Sequence, residues 1–352
     1  MKKAMNTKLQ AQLLLACVPV GFAFAQFLEP SSLEQTTHIV ESYLLPLFFL
    51  GVGIELRQEF SVGYFKVRRL IIAPAIAALL GVALPALTFL VVAGPLGGAW
   101  SIPTATDITL GLAVLGLAGA GYSAKLRPRF LAFATIDDLL GLLILLIVFS
   151  GEVNLLHACI AVASLIAFYL LGRSQRTMAI ASMACVVLGL AFGANSGLQN
   201  SIIAVAFGLV VNKPHVWRFL APLNGWFILP AFAFVASANA GQVISGAISI
   251  TVLLAICLRP AAKLAGIAIG GSIASWLVAR RADTVSWIGL GVLGGIGFTV
   301  SFLLASVALH NQSADYSAAI IGTLIATGIS AIAFLIFASF QGRRGPRDEK
   351  SL

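Results

Sequence analysis

The chain is predicted to be an all-α polytopic membrane protein of about twelve transmembrane helices, and three features of the sequence lead there. It is 59% hydrophobic and only 10% charged, where a soluble domain carries about a quarter charged residues. Apolar stretches of spanning length follow one another from end to end, with polar breaks too short to hold a soluble domain. The basic residues gather in alternate loops, as they do where a chain crosses a membrane back and forth.

Cut at charges and at Gly/Pro turns, the segments are 9–27, 40–60, 70–94, 98–117, 130–151, 154–172, 177–194, 197–212, 219–238, 251–276, 285–309 and 317–340. The first needs a decision. Lys2, Lys3 and Lys8 precede an apolar run ending Ala23-Phe24-Ala25, which looks like a signal peptide with a cleavage site. That run is long for such a signal, so it is taken as the first helix. In both cases the residues after Ala25 lie outside.

Charge placement tests the count independently. Of the 22 basic residues, all but Arg259 and Lys263 sit at the N-terminus or after even-numbered segments. The opposite loops hold Glu29, Glu34, Glu41, Glu152 and Asp315, with no Lys or Arg. Both termini are therefore expected in the cytoplasm of a bacterial inner membrane. The +9 net charge is accounted for by topology and contact with anionic lipid, and nucleic acid is excluded as a partner. Cys17, Cys159, Cys185 and Cys257 stand singly, as do the four histidines, so no metal site or cofactor is expected.

The interior charges carry the functional argument. Asp137 and Asp138 interrupt the apolar run of the fifth segment. Each ionised carboxylate at a bilayer centre opposes insertion by about 2.5–3.5 kcal/mol, against about 0.3–0.6 kcal/mol returned by a central Leu or Phe. Such a pair is expected to meet a proton or a metal cation. Asp107 lies roughly 15 Å from the outer end of its helix, and Asp138 roughly 13 Å from the inner end of its own, at 1.5 Å per residue. Lys263 is also near the middle of its segment. Three helices thus bring charge to one level. A plain salt bridge would need one Asp and one Lys; the surplus carboxylates point to transport of a small cation.

Two segments are broken at that level. The fourth contains Pro103-Thr104-Ala105-Thr106-Asp107, and the eleventh Gly294-Gly295-Ile296-Gly297-Phe298-Thr299. Proline removes a donor, glycines weaken a helix, and threonines offer oxygens to broken turns. Helices 4 and 11 are seven positions apart, which suggests inverted repeats with interrupted centres whose dipole ends face the site. Asp107 could balance positive N-terminal ends and Lys263 negative C-terminal ends. Close helix packing explains the glycines equally well.

These residues resemble the NhaA-type sodium/proton antiporters, themselves a standard example of inverted-repeat transporters. The resemblance runs from about Leu47 to Leu309. It is carried by Phe48-Phe49-Leu50-Gly51-Val52-Gly53-Ile54-Glu55, Thr106-Asp107, Ala134-Thr135-Ile136-Asp137-Asp138, Lys263-Leu264-Ala265-Gly266-Ile267 and Gly295-Ile296-Gly297-Phe298-Thr299. It implies a single transporter domain over 1–352 in which helices 4 and 11 cross. Helices 3–5 and 10–12 would form the ion-site core, the others would be scaffold, and 341–352 a short basic tail. It implies export of Na⁺ or Li⁺ for external H⁺, two protons per cation, in the service of salt tolerance and pH homeostasis. Asp138 and Asp137 match the family's aspartate pair and would hold the transported Na⁺. Asp107 and Thr106 match its broken-helix site, and Lys263 its membrane lysine. Glu55 and Glu59 match a cytoplasmic ion funnel.

The chain also departs from the family. Gln199 stands where a histidine is usual, and the acidic, histidine-rich stretch before helix nine is reduced to Lys213–Asn224, so steep pH activation is not expected. The outer loop after helix one is much shorter than the hairpin that supports dimers, which leaves a homodimer open. Arg259 falls where the family is usually apolar, one turn from Lys263, as a competitor for Asp137. The rival function is a sodium-coupled symporter of an organic anion. An intramembrane protease is disfavoured, because neither Gly-x-Gly-Asp nor Tyr-Asp occurs.

Overall fold

Helix accounts for nearly all of the described residues, as expected where backbone groups must be satisfied within the segment that carries them. The computed structural model describes residues 2–62, 68–118, 120–149, 154–172, 179–194, 200–211, 220, 222–243, 248–279, 284–309 and 314–343. The first helices are α1 (Lys2–Phe24), α2 (Pro30–Ile39), α3 (Leu45–Val62), α4 (Arg68–Ala93) and α5 (Ile108–Leu117). Then come α6 (Ala120–Phe149), α7 (Leu155–Gly172), α8 (Ala179–Ala194), α9 (Asn200–Val210) and α10 (Leu229–Val243). The last are α11 (Ile250–Cys257), α12 (Arg259–Ala279), α13 (Thr284–Gly294), α14 (Thr299–Leu309) and α15 (Ala314–Arg343).

Among the described residues each predicted segment is mainly helical, apart from the non-helical stretches at 105–107 and 295–298. Among the described residues, six helical stretches are long and apolar enough to cross a membrane singly, and α13 with α14, bent by 52°, makes a seventh. Val91, Ile147, Ile332 and Ile336 lie exposed on these helices. Such apolar surface fits lipid and would be an aggregation hazard in water. The chain is a multi-pass membrane protein.

The boundaries moved where local chemistry was subtle. Helix α6 begins ten residues before the predicted segment and carries Lys125–Arg129 and Pro128 inside it. The tenth segment divides at Leu258, since Pro260 has no N–H to continue the ladder and suits the first turn of α12. Single π-turns at Val40–Leu44 and Asn224–Ile228 left no mark in the hydrophobic pattern.

The chain divides into two compact units. One comprises residues 17–66 and 142–238. Within it α3 and α9 touch backbone to backbone at Gly53 and Gly208, where a Cβ on either glycine would strike the other helix. Arg57 donates to the carbonyls of Leu209 and Val210 at 3.0 and 2.6 Å, satisfying the C-terminal end of α9 with a favourable charge. The other unit comprises 1–16, 67–141 and 239–352 and holds Asp107, Asp137, Asp138, Arg259 and Lys263.

Candidate functional site

Within the second unit the two broken segments meet at their breaks. The first is not two α-helical halves. It is a 3₁₀ turn over Ala99–Thr104, an extended stretch through Ala105 to Asp107, and then α5. The second break spans 295–298 between α13 and α14. The Asp107 N–H donates to the Ile296 carbonyl at 2.8 Å, and the Thr106 hydroxyl donates to the Gly294 carbonyl at 2.9 Å. Each break thus supplies partners for backbone groups the other leaves unpaired, as lipid-depth backbone requires. A Cβ on Gly297 would strike the Ala105 carbonyl, and one on Gly295 would strike the Ser330 hydroxyl. Close packing and the break are one feature here.

Asp107 caps two helices at once. One carboxylate oxygen accepts from Leu110 N–H at 2.9 Å, capping α5. The other accepts from the N–H and hydroxyl of Thr299 at 3.3 and 2.9 Å, at the start of α14. A negative charge thus meets two positive helix ends, as its place in the sequence indicated.

Asp137 and Lys263 form a fully buried pair. The ammonium reaches both carboxylate oxygens, at 2.8 and 2.9 Å, and donates to the Thr106 hydroxyl at 2.9 Å. It also stands 5.7 Å from the centre of the Phe133 ring, within cation–π range. Asp138, one residue on, is only half-buried. The two aspartates therefore have different surroundings: one is locked to a lysine, and the other is partly open.

Arg259 departs from its expected role. Asp137 belongs to Lys263, while the Arg259 guanidinium turns to the second break and to α15, donating to the Gly297 carbonyl at 3.1 Å and Thr327 Oγ1 at 2.8 Å. Lys263, expected to balance negative C-terminal helix ends, instead reaches Asp137 and Thr106, and the Gly297 carbonyl of the second break accepts from Arg259. Sequence reasoning missed the Ser301 and Thr327 hydroxyls and the Thr323 carbonyl as its partners; the one signal was that Ser and Thr recur along the last helix, which supplies two of the three.

Glu55 is exposed on α3 in the other unit, and the side chain of Glu59 lies outside the described residues. So do Gln199, most of Lys213–Asn224 and the tail beyond Arg343. Among the described residues no group of three His, Cys, Asp or Glu could hold a metal ion.

The sequence pattern of the family described as Na⁺/H⁺ antiporter 1 matches residues 5–337. A relative from Clavibacter michiganensis, named a Na⁺/H⁺ antiporter NhaA 2, is 32% identical over 88% of this chain and 80% of its own length. One from Tropheryma whipplei, named a Na⁺/H⁺ antiporter NhaA, is 31% identical over 96% of this chain and 95% of its own. Among solved structures, the sodium proton antiporter MjNhaP1 from Methanocaldococcus jannaschii superposes with a TM-score of 0.54 over 96% of this chain and all of that one. At 16% identity that likeness concerns the fold alone.

Proposed function

The chain belongs to the Na⁺/H⁺ antiporter 1 family, and we propose that it exports Na⁺ or Li⁺ in exchange for external protons, two per cation. Cation and protons compete for the Asp137–Asp138 site, which opens alternately to the two sides of a bacterial inner membrane. Both termini are cytoplasmic.

The observation that carries this reading is the contrast between the adjacent aspartates: Asp137 enclosed with Lys263 at 2.8 Å, and Asp138 half-open beside it. In the proton-loaded form Asp138 is neutral and Asp137 is paired with the ammonium. Na⁺, a hard cation that prefers oxygen, displaces the proton from Asp138 and draws Asp137 in as a second donor. Lys263, deprived of its counter-charge in a low-dielectric site, releases its proton. One proton leaves Asp138 and one leaves Lys263, so two balance one cation.

Each cycle then moves one net charge inward, worth about 2.3 kcal/mol per 100 mV. A tenfold concentration ratio costs about 1.4 kcal/mol, so an ordinary membrane potential supports export against a gradient of a few tens-fold. The relatives named above are antiporters, which leaves the organic-anion symporter without support.

The test is proteoliposomes with an acid interior and a pH-sensitive dye, given Na⁺, Li⁺ and K⁺ in turn. Na⁺ or Li⁺ alone should release internal protons. A response that appears only with an added organic anion would sink the proposal.

A further inference from the structure

Arg259 neither ligates nor exchanges a proton in the cycle above, yet it is wholly buried and among the largest side chains so enclosed. Intramembrane charges ordinarily pair with one another or with backbone carbonyls. Among the described residues this guanidinium makes no hydrogen bond to a carboxylate. It donates to the Gly297 carbonyl at 3.1 Å, the Thr323 carbonyl at 3.3 Å, Thr327 Oγ1 at 2.8 Å and Ser301 Oγ at 3.3 Å. The Thr327 hydroxyl in turn donates to the Gly297 carbonyl at 2.5 Å. The Gly297 carbonyl, which the break frees from the helical ladder, is thus gripped from α12 and from α15 together.

That carbonyl is one peptide from Ile296, which accepts from Asp107 N–H, and three residues from Gly294, which accepts from Thr106. Thr106 accepts from Lys263. Two residues in the other direction, Thr299 is capped by Asp107. A shift at Gly297 therefore passes along a few residues of backbone to partners on both sides of the cation site. Room to absorb it is scarce: a Cβ on Gly297 would lie 2.8 Å from Arg259 Nη1 and 3.1 Å from Ser301 Oγ.

We propose that Arg259 is a positioning residue for the cation site, holding the second break against the first through the Gly297 carbonyl and Thr327. Arginine suits this task because its planar fork spreads its donors over several nitrogens and can bridge a break, a helix and a hydroxyl at once. Lysine keeps the charge but donates from a single atom. The inference rests on the antiport reading, since the quantity positioned is the cation's oxygen cage.

Two variants test it in proteoliposomes: Thr327→Val, which removes one grip at constant shape, and Arg259→Lys, which keeps charge and loses span. Each should raise the apparent KM for Na⁺ about threefold to tenfold, with the maximal rate per folded protein within about twofold of wild type. Lower yield with an unchanged KM in the surviving protein would show plain structural support and overturn the inference. If Arg259→Lys does not fold, Thr327→Val decides alone. A wild type that moves no protons with any cation would remove the antiport reading and this inference with it. A wild type that exchanges normally beside variants of unchanged KM would remove only this inference.

Discussion

Replacing Lys263 with alanine should destabilise the protein at least as much as it impairs exchange. The ammonium serves both oxygens of Asp137 and the Thr106 hydroxyl, and both charged groups are almost fully enclosed. Removing one partner of such a pair strands the other, a loss on the order of 3–5 kcal/mol in soluble proteins. Arg259 does not take over, because both its terminal nitrogens are held at the second break and its neighbours, by Gly297, Ser301, Thr323 and Thr327. Thermal unfolding in detergent reads the effect. The deficit should be largest at neutral and alkaline pH and should shrink toward acid, where the stranded carboxyl can take a proton and lose its charge. Lys263→Met combined with Asp137→Leu replaces the pair with apolar volume and should recover most of the stability while exchange stays absent. Were Lys263→Ala to melt like wild type while only an Arg259 variant proved unstable, the assignment of the counter-charge would be wrong.

Three further outcomes follow from the same geometry. Asp138→Asn should leave less than about a tenth of wild-type exchange in liposomes, since it removes the charge both ions need. Its stability should change far less than that of Lys263→Ala, because Asp138 is half-open. Asp107→Ala should cost about 1–2 kcal/mol by uncapping α5 and α14, and Asp107→Asn much less, since asparagine caps nearly as well; equal unfolding temperatures for the two would refute the double cap. Gly297→Ala should fold poorly or lose Na⁺ affinity, because its Cβ would strike Ala105 and crowd Arg259, and normal yield with normal affinity would show that the breaks do not need close contact.

The class of fold, and the residues that come together at the two breaks, were legible because both rest on coarse physics. Charge is expensive in hydrocarbon, so Asp107, Asp137, Asp138 and Lys263 stood out, and counting residues from the flanking charges put them at one depth. Pro103 and the glycines at 294, 295 and 297 marked the breaks for the same reason. What could not be read was which cation faces which acid. Arg259 and Lys263 are one helical turn apart and share a face, so spacing gives either of them to Asp137. The choice depends on where the second break lies beside α12, a tertiary fact. The double cap by Asp107 was half visible: its place before α5 suits an N-cap, but its hold on Thr299 needs a contact 192 residues away. Helix α6 ran past the expected start because Pro128 does not stop it, although proline usually limits a helix. The π-turns were invisible, since one extra residue in a turn barely disturbs an apolar pattern.

The account turns on competition between cation and protons at one site, and that is tested by measuring apparent Na⁺ affinity and maximal rate in proteoliposomes from pH 6 to 9. Protonated carboxyls cannot ligate Na⁺, so the apparent affinity should tighten about tenfold or more per pH unit as protons withdraw. The maximal rate under saturating Na⁺ should stay nearly constant, giving a gradual profile without a separate switch, as Gln199 and the shortened stretch before helix nine lead us to expect. A maximal rate that collapses at low pH even at saturating Na⁺ would reveal a sensor apart from the aspartates and contradict the account.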